Sequence, residues 1–229
     1  MTPYHDNDGI CMGLSGGLDS STMLAYFIKD QFYNPKSIHC LGFRYGSKHN
    51  KYENEAAEKI ANYYGVDYKL IDLTEAIGKL FKSDLLLTGG DIPEGHYSDE
   101  SMSRTVVPGR NIIFASILAG YAWSLDCNKI ALGVHLGDRA IYEDCRPEFI
   151  KSLDTCIYLG TGHRVQVDAP FIEMNKIDIC RLGLELEVPF ELTRTCYKDQ
   201  EKACGKCGSC QERIEAFKEN HIKDPVEYA

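Results

Sequence analysis

Residues 10–22 read "ICMGLSGGLDSST". An apolar run over 9–14 has strand character. Gly16 and Gly17 follow, set between Ser15 and Asp19, and from residue 20 the stretch "SSTMLAYFIKDQ" carries apolar residues at helical spacing. A strand that turns on glycines into a helix is suited to an anion. Glycine lets backbone N–H groups come close and tolerates positive φ, while a helix N-terminus adds aligned donors and about half a positive charge. The loop is neither G-x-x-x-x-G-K-[ST] nor G-x-G-x-x-G. Asp19 makes little sense against a bare phosphate and better sense if magnesium accompanies the phosphates. A plain strand-to-helix turn, capped by Asp19 or Ser20, accounts for the same residues without a ligand.

Strand and helix signals alternate along the rest of the chain. Strands are expected at 37–43, in "VDYKLIDL" (66–73), in "KIALGV" (129–134) and in "HRVQVDAP" (163–170). Helices are expected at 51–65, ending on Gly65, at 147–159 and at 175–187. "IIFASILAGYAWSLD" (112–126) is apolar nearly all round, which predicts a buried helix. Residues 83–105 are polar and glycine-rich and read as a long, functional or mobile loop. The pattern predicts a parallel five-stranded sheet with helices on both faces, an α/β fold of Rossmann-like type, with ligands beyond the carboxyl ends of the strands.

The 229 residues are 44% hydrophobic and 26% charged, with a net charge of −9. That acidic balance argues against a chain that mainly grips nucleic acid. No apolar run approaches the ~20 residues of a membrane span. "MTPYHDNDG" lacks the features of a signal peptide, so a cytoplasmic protein is expected. Six of the ten cysteines are scattered (Cys11, Cys40, Cys127, Cys145, Cys156 and Cys180), and most should be small buried hydrophobes. Cys196, Cys204, Cys207 and Cys210 are bunched in "CYKDQEKACGKCGSC". Four thiolates at that spacing close a tetrahedral zinc site with no open position, so the expected role is structural. An iron–sulfur cluster is the rival, but the ferredoxin run needs a fourth cysteine where Ile214 stands. Two units are expected: 1–187 as a phosphate-binding α/β domain and 188–229 as a zinc-binding helical segment.

The "SGGLDS" signature resembles the pyrophosphate-loop ATPases, which have an adenine nucleotide alpha-hydrolase-like fold and cleave ATP between its α and β phosphates. The resemblance implies that Leu14, Ser15, Gly16, Gly17, Leu18, Asp19 and Ser20 bind ATP, and that Asp19 organises magnesium. It also implies a pyrophosphate-contacting lysine at Lys176, in "PFIEMNKIDI". Arg110, in "VVPGRN", is a guanidinium at a helix start, where a cation opposes the dipole unless an anion arrives. Asp19, Lys176 and Arg110 are therefore the expected catalytic groups.

"RTVVPGRNIIFAS", "YEDCRPEFIKS" and "ELTRTCYKDQEKACGKCGSCQERIEAF" narrow the match. With the loop, they resemble the 7-cyano-7-deazaguanine synthase family over about residues 10–217. The resemblance implies ATP, 7-carboxy-7-deazaguanine and ammonia as reactants, a cyano product reached through an adenylated carboxylate and an amide, and a homodimer. In "GDRAIYEDCRPEF", Asp138 or Asp144 would accept hydrogen bonds from the base, Tyr142 would stack on it and Arg146 would meet a carboxylate or phosphate. Arg110 is expected to serve the substrate as well. The chain departs from the family at Arg139, Ala140, Ile141 and Glu143, and "GFRYGSKHN" keeps Tyr45 and His49 but not the usual residues between them. The alternatives are a related enzyme that stops at the amide or transfers the base elsewhere, a tRNA thiolase, and a non-catalytic nucleotide sensor.

Overall fold

The computed structural model describes residues 9–95, 100–198 and 200–229. The N-terminal stretch read above for a targeting signal lies almost entirely outside them. Five strands, β1 (Ile10–Gly13), β2 (Ile38–Arg44), β3 (Asp67–Asp72), β4 (Lys129–Ala131) and β5 (Gln166–Asp168), form one parallel sheet in the order β3-β2-β1-β4-β5. The helices are α1 (Leu18–Ala25), α2 (Asn50–Tyr64), α3 (Arg110–Ser124), α4 (Pro147–Gly160), α5 (Lys176–Glu185) and α6 (Gly208–Glu219). Among the described residues, no helix is long and apolar enough to cross a membrane.

Strand alternation sends side chains to two cores. Ile10 and Met12 of β1 face the layer of α1, α2, α5 and α6, with Phe27, Ile179 and Phe217. Cys11 faces the other layer, with Ala115 and Leu118 of α3 and Leu153 of α4. The chain leaves β1 toward β2 and β3 on one side and returns to β4 and β5 on the other. The order therefore reverses between β1 and β4, where a crevice opens above the strand ends.

Several element bounds differ from the sequence reading for local reasons. The first helix starts at Leu18 and passes after Ala25 into a π-helical turn, Tyr26–Asp30. Gly65 closes α2 in the left-handed region, φ 68°, as its position implied. The expectation that α3 is buried all round is corrected. Its Ala115, Leu118, Ala119 and Ala122 pack inward, while Ile112 and Trp123 lie about half exposed because only one face meets the sheet. The glycine-rich stretch after residue 83 is partly folded. It buries Leu85, Leu86, Ile92 and Met102, and isolated bridges tie it to Ser47 and Cys207. Of the scattered cysteines, only Cys156 is exposed.

One buried ion pair fastens the C-terminal segment. The Arg213 guanidinium donates to Asp224 at 2.8 and 2.9 Å, to Thr193 at 2.7 Å and to the Phe190 carbonyl at 3.2 Å. Burial would raise the Asp224 pKa, but the bonds from Arg213 outweigh it and hold the carboxyl below its usual range. Such a carboxylate contributes stability above its unfolded pKa of about 3.9, and the contribution is lost as pH falls through the depressed folded value. Arg213→Ala should cost about 3–5 kcal/mol at pH 7, because it strands a buried charge. Urea titrations should show the gap between mutant and wild type narrowing in strong acid. A gap independent of pH would mean that Arg213 acts through packing alone.

Candidate active site

The first strand hands the chain to α1 through a loop seated against α2. Gly16 adopts φ +73°, and a Cβ there would lie 2.3 Å from the backbone nitrogen of Ala57. Only glycine allows that contact. The loop holds its own shape: Ser15 Oγ lies 3.1 Å from Ser20 Oγ, and the Gly17 N–H donates to Ser15 Oγ at 3.2 Å. The N-cap residue of α1 is Gly17, so no side chain caps the helix, and its N-terminus lines a cavity of about 250 Å³ at the β1/β4 crevice.

At one end of this cavity charges are concentrated. Lys176 Nζ, at the start of α5, lies 2.6 Å from Asp19 Oδ2 and 3.3 Å from Glu212 Oε2 on α6. A capping box of Asn175 and Asp178 fixes the start of α5, and so the lysine. Burial alone would push the Lys176 pKa down, but Asp19 and Glu212 outweigh it and raise it. Burial would likewise raise the Asp19 pKa, but Lys176 and His135 hold it below the ordinary range. Burial pushes the Glu212 carboxyl up, and Lys176 only partly offsets this. His135 is 1% exposed, and its Nδ1 accepts from the Gly137 N–H at 3.1 Å. Its Nε2 therefore carries the proton and faces Asp138 at 3.4 Å and Asp19 at 3.8 Å. Asp19 Oδ1 is buried without a hydrogen-bond partner.

Arg110, where α3 begins, also lines the cavity, among Tyr45, Tyr142, Tyr197 and Asp144. Burial opposes its charge, and these neighbours outweigh burial, so it stays cationic. The Tyr142 hydroxyl is 2.9 Å from Thr105 Oγ1.

The structure brings most of the residues expected from sequence together. Leu14, Ser15, Gly17, Leu18, Asp19, Ser20, Arg110, Asp138, Tyr142 and Lys176 line the cavity, and Gly16 stands behind the loop against α2. Asp144 and Arg146 are not among the lining residues. Asp144 Oδ2 accepts from the Asn111 N–H at 3.3 Å, capping α3, and Arg146 Nε donates to the Arg139 carbonyl at 3.3 Å. His135, Glu212, Tyr197 and Ser209 also line it and escaped the sequence reading. His135 had one usable signal, a histidine just past the end of β4. Glu212 had another, a carboxylate two positions after the last bunched cysteine.

Cys196, Cys204, Cys207 and Cys210 are all buried, and their sulfurs lie within 4.8 Å of one another, so the group could hold a metal ion. Backbone N–H groups of Lys198 and Cys204 donate to Cys196 Sγ at 3.4 and 3.3 Å. Those of Lys206 and Cys207 donate to Cys204 Sγ at 3.4 and 3.2 Å. Such donors favour the thiolate that a metal requires. Cys196 also lines the cavity, so the two centres share a wall.

The profile of the family described as "Queuosine biosynthesis protein QueC" matches residues 9–221. The chain belongs to the QueC family. It is 46% identical over 214 residues to a "7-cyano-7-deazaguanine synthase" of Pseudoalteromonas atlantica, covering 93% of this chain and 95% of the relative. A protein of the same name from Archaeoglobus fulgidus is 46% identical, covering 94% and 88%. Solved structures agree in fold alone. The U34-tRNA thiolase NcsA of Methanococcus maripaludis, with its [4Fe-4S] cluster, superposes with a TM-score of 0.50 at 21% identity, over 94% of this chain and 68% of the thiolase. NMN synthetase from Francisella tularensis gives 0.51 at 15% identity, over 98% and 90%. What they share with this chain is its α/β fold.

Metal analysis of anaerobically purified protein should find one tightly bound ion per chain. Cys204→Ser should lose it and melt at lower temperature, because binding to four thiolates is coupled to folding. A metal-free chain with an unchanged melting temperature would leave these cysteines as packing only.

Proposed function

We propose that this QueC family member converts 7-carboxy-7-deazaguanine and ammonia to 7-cyano-7-deazaguanine at the expense of ATP, through an adenylated carboxylate and an amide. The observation that carries the reading is the shared cavity. It joins an anion-binding loop, with Lys176 and Asp19 beside it, to the cationic Arg110 and its tyrosines.

A carboxylate is a poor electrophile. Attack of its oxygen on the α-phosphorus of ATP expels pyrophosphate and makes AMP the next leaving group. Ammonia then attacks the acyl carbon, AMP departs, and the nitrogen loses a proton to leave the amide. A second activation, of the amide oxygen, lets AMP leave with that oxygen as two N–H protons are lost, giving the nitrile. One nucleotide site serves both rounds if the base stays bound.

The roles follow from position. The N-terminus of α1 and the loop hold the β and γ phosphates, and Lys176 neutralises charge on the departing pyrophosphate. Arg110 draws the substrate carboxylate toward the α-phosphate. Asp138 and Tyr142 contact the base from the cavity wall. Asp144 and Arg146 act from outside the cavity, by setting α3 and the 139–146 segment. Magnesium fits the site, because the unpartnered Asp19 Oδ1 is a hard oxygen donor beside the loop. When bound, the ion neutralises phosphate charge.

Zinc is the metal proposed for the cysteines. Four Zn–S bonds of about 2.3 Å at tetrahedral angles place sulfurs roughly 3.8 Å apart. Cys204 and Cys210 Sγ are separated by 3.9 Å, whereas a four-iron cluster needs wider spacing. Residues 188–229 then act as a zinc-braced segment on the 1–187 ATP domain. A homodimer and a cytoplasmic setting complete the proposal. The half-exposed Ile112 and Trp123 on the outer side of α3 favour the dimer.

Incubation with the carboxylate base, ATP and ¹⁵N-ammonium should give the ¹⁵N-nitrile by mass spectrometry, with the amide as transient. An amide that accumulates without nitrile, or no change in the base, would refute the assignment. Asp19→Asn should lower turnover by about 10²-fold or more with the fold retained. A folded mutant with full turnover would reduce Asp19 to a structural partner of Lys176.

A further inference from the structure

The loop between β2 and α2 carries His49 into the cavity wall. Asn50 pins that loop. Its side-chain oxygen accepts from the N–H groups of Tyr45 and Ser47 at 3.0 Å each, and its amide donates to the Phe43 carbonyl at 3.2 Å. The imidazole is fixed too. Nε2 lies 3.1 Å from Glu53 Oε2, and the ring packs against Tyr45 at 6.3 Å and Tyr197 at 5.3 Å between centroids. His49 is only 6% exposed, and its Nδ1 is buried with no hydrogen-bond partner.

A carboxylate accepts and cannot donate, so Nε2 carries the proton. When the ring is neutral, Nδ1 is then a bare acceptor. A buried acceptor without a partner is destabilising, and here it is held in place from two directions. His49 lines the cavity, so a donor bound there would satisfy it. ATP phosphates and a carboxylate offer none.

We infer that His49 Nδ1 accepts a hydrogen bond from a ring or amino N–H of the heterocycle whose carboxylate meets Arg110, with Glu53 as the positioning residue that sets the tautomer. The inference rests on the function proposed above. Position favours the substrate base over the adenine of ATP. Tyr45 and Tyr197 are neighbours of both His49 and Arg110, so the two groups flank one aromatic compartment. A planar molecule with a carboxylate at one end and N–H donors at the other has groups to offer both. A deazaguanine has lactam, pyrrole and amino N–H groups. An analogue with those positions alkylated would leave Nδ1 unpaired and be rejected.

The test is calorimetric titration of the full-length, metal-loaded protein with 7-carboxy-7-deazaguanine and, separately, with a non-hydrolysable ATP analogue. His49→Phe keeps a ring and removes the acceptor. Its affinity for the base should fall about tenfold, with affinity for the ATP analogue and the melting temperature unchanged. His49→Gln still offers an acceptor and should recover most of the loss. Wild-type affinity for the base in His49→Phe overturns the inference, as does His49→Gln as weak as His49→Phe. A loss confined to the ATP analogue assigns His49 to adenine, and a loss of both ligands with a lowered melting temperature makes it structural; either overturns it. Wild-type protein that does not bind the base at all sinks the proposed function, and this inference with it. Failure of the variants alone leaves that function standing.

Discussion

The contact between Lys176 Nζ and Asp19 Oδ2, 2.6 Å long and 157 positions apart in sequence, sets the geometry on which the site depends. Asp19 belongs to the first turn of α1 and Lys176 to the first residue of α5, so the pair fixes two helix N-termini side by side above the sheet. Taking charges out of water costs several kcal/mol per ion, and a buried pair rarely repays that by attraction alone. Packing reinforces the same juxtaposition. A Cβ on Gly183 of α5 would lie 2.7 Å from Thr22 Oγ1 of α1 and 2.4 Å from the Phe190 ring, so α5 approaches as closely as glycine permits. The fold holds a cation and an anion where neither would gather unaided. An incoming nucleotide would meet both already placed.

The C-terminal segment belongs to this arrangement. The Arg194 N–H donates to the Gly16 carbonyl at 2.8 Å, and its guanidinium binds the carbonyls of Lys198, Gln200 and Glu201 at 2.6–3.2 Å. Two residues later comes Cys196, a wall of both the cysteine centre and the cavity. From the far side of that centre α6 delivers Glu212 to Lys176. The cysteines thus brace one wall of the cavity at the point where the 15–20 loop is tied down.

How much of this could be read from sequence follows from the range of each interaction. The loop at 15–20, the alternation of strand and helix, and the cysteine spacing are local signals, and each landed where it was expected. Gly65 ended its helix for a reason confined to one residue. The misreading of α3 came from taking an apolar circumference as burial, when only tertiary packing decides which face meets the sheet. His135, Glu212 and Tyr197 were missed because their meaning is positional. A histidine after a strand or a glutamate on a helix becomes notable only when the fold brings the one to Asp19 and the other to Lys176. Asp144 and Arg146 show the converse: charged residues in a promising segment whose atoms are committed to a helix cap and a backbone carbonyl.

Activation of a carboxylate by transfer to the α-phosphorus is the chemical claim that unites the loop, Lys176 and Arg110. It is tested most directly by following oxygen. With substrate labelled in both carboxylate oxygens with ¹⁸O, each activation should place one label in AMP, giving two singly labelled AMP per nitrile formed, because the oxygen that attacks the α-phosphorus leaves with it. Label in orthophosphate, with ADP as the nucleotide product, would show attack at the γ-phosphorus and contradict this account.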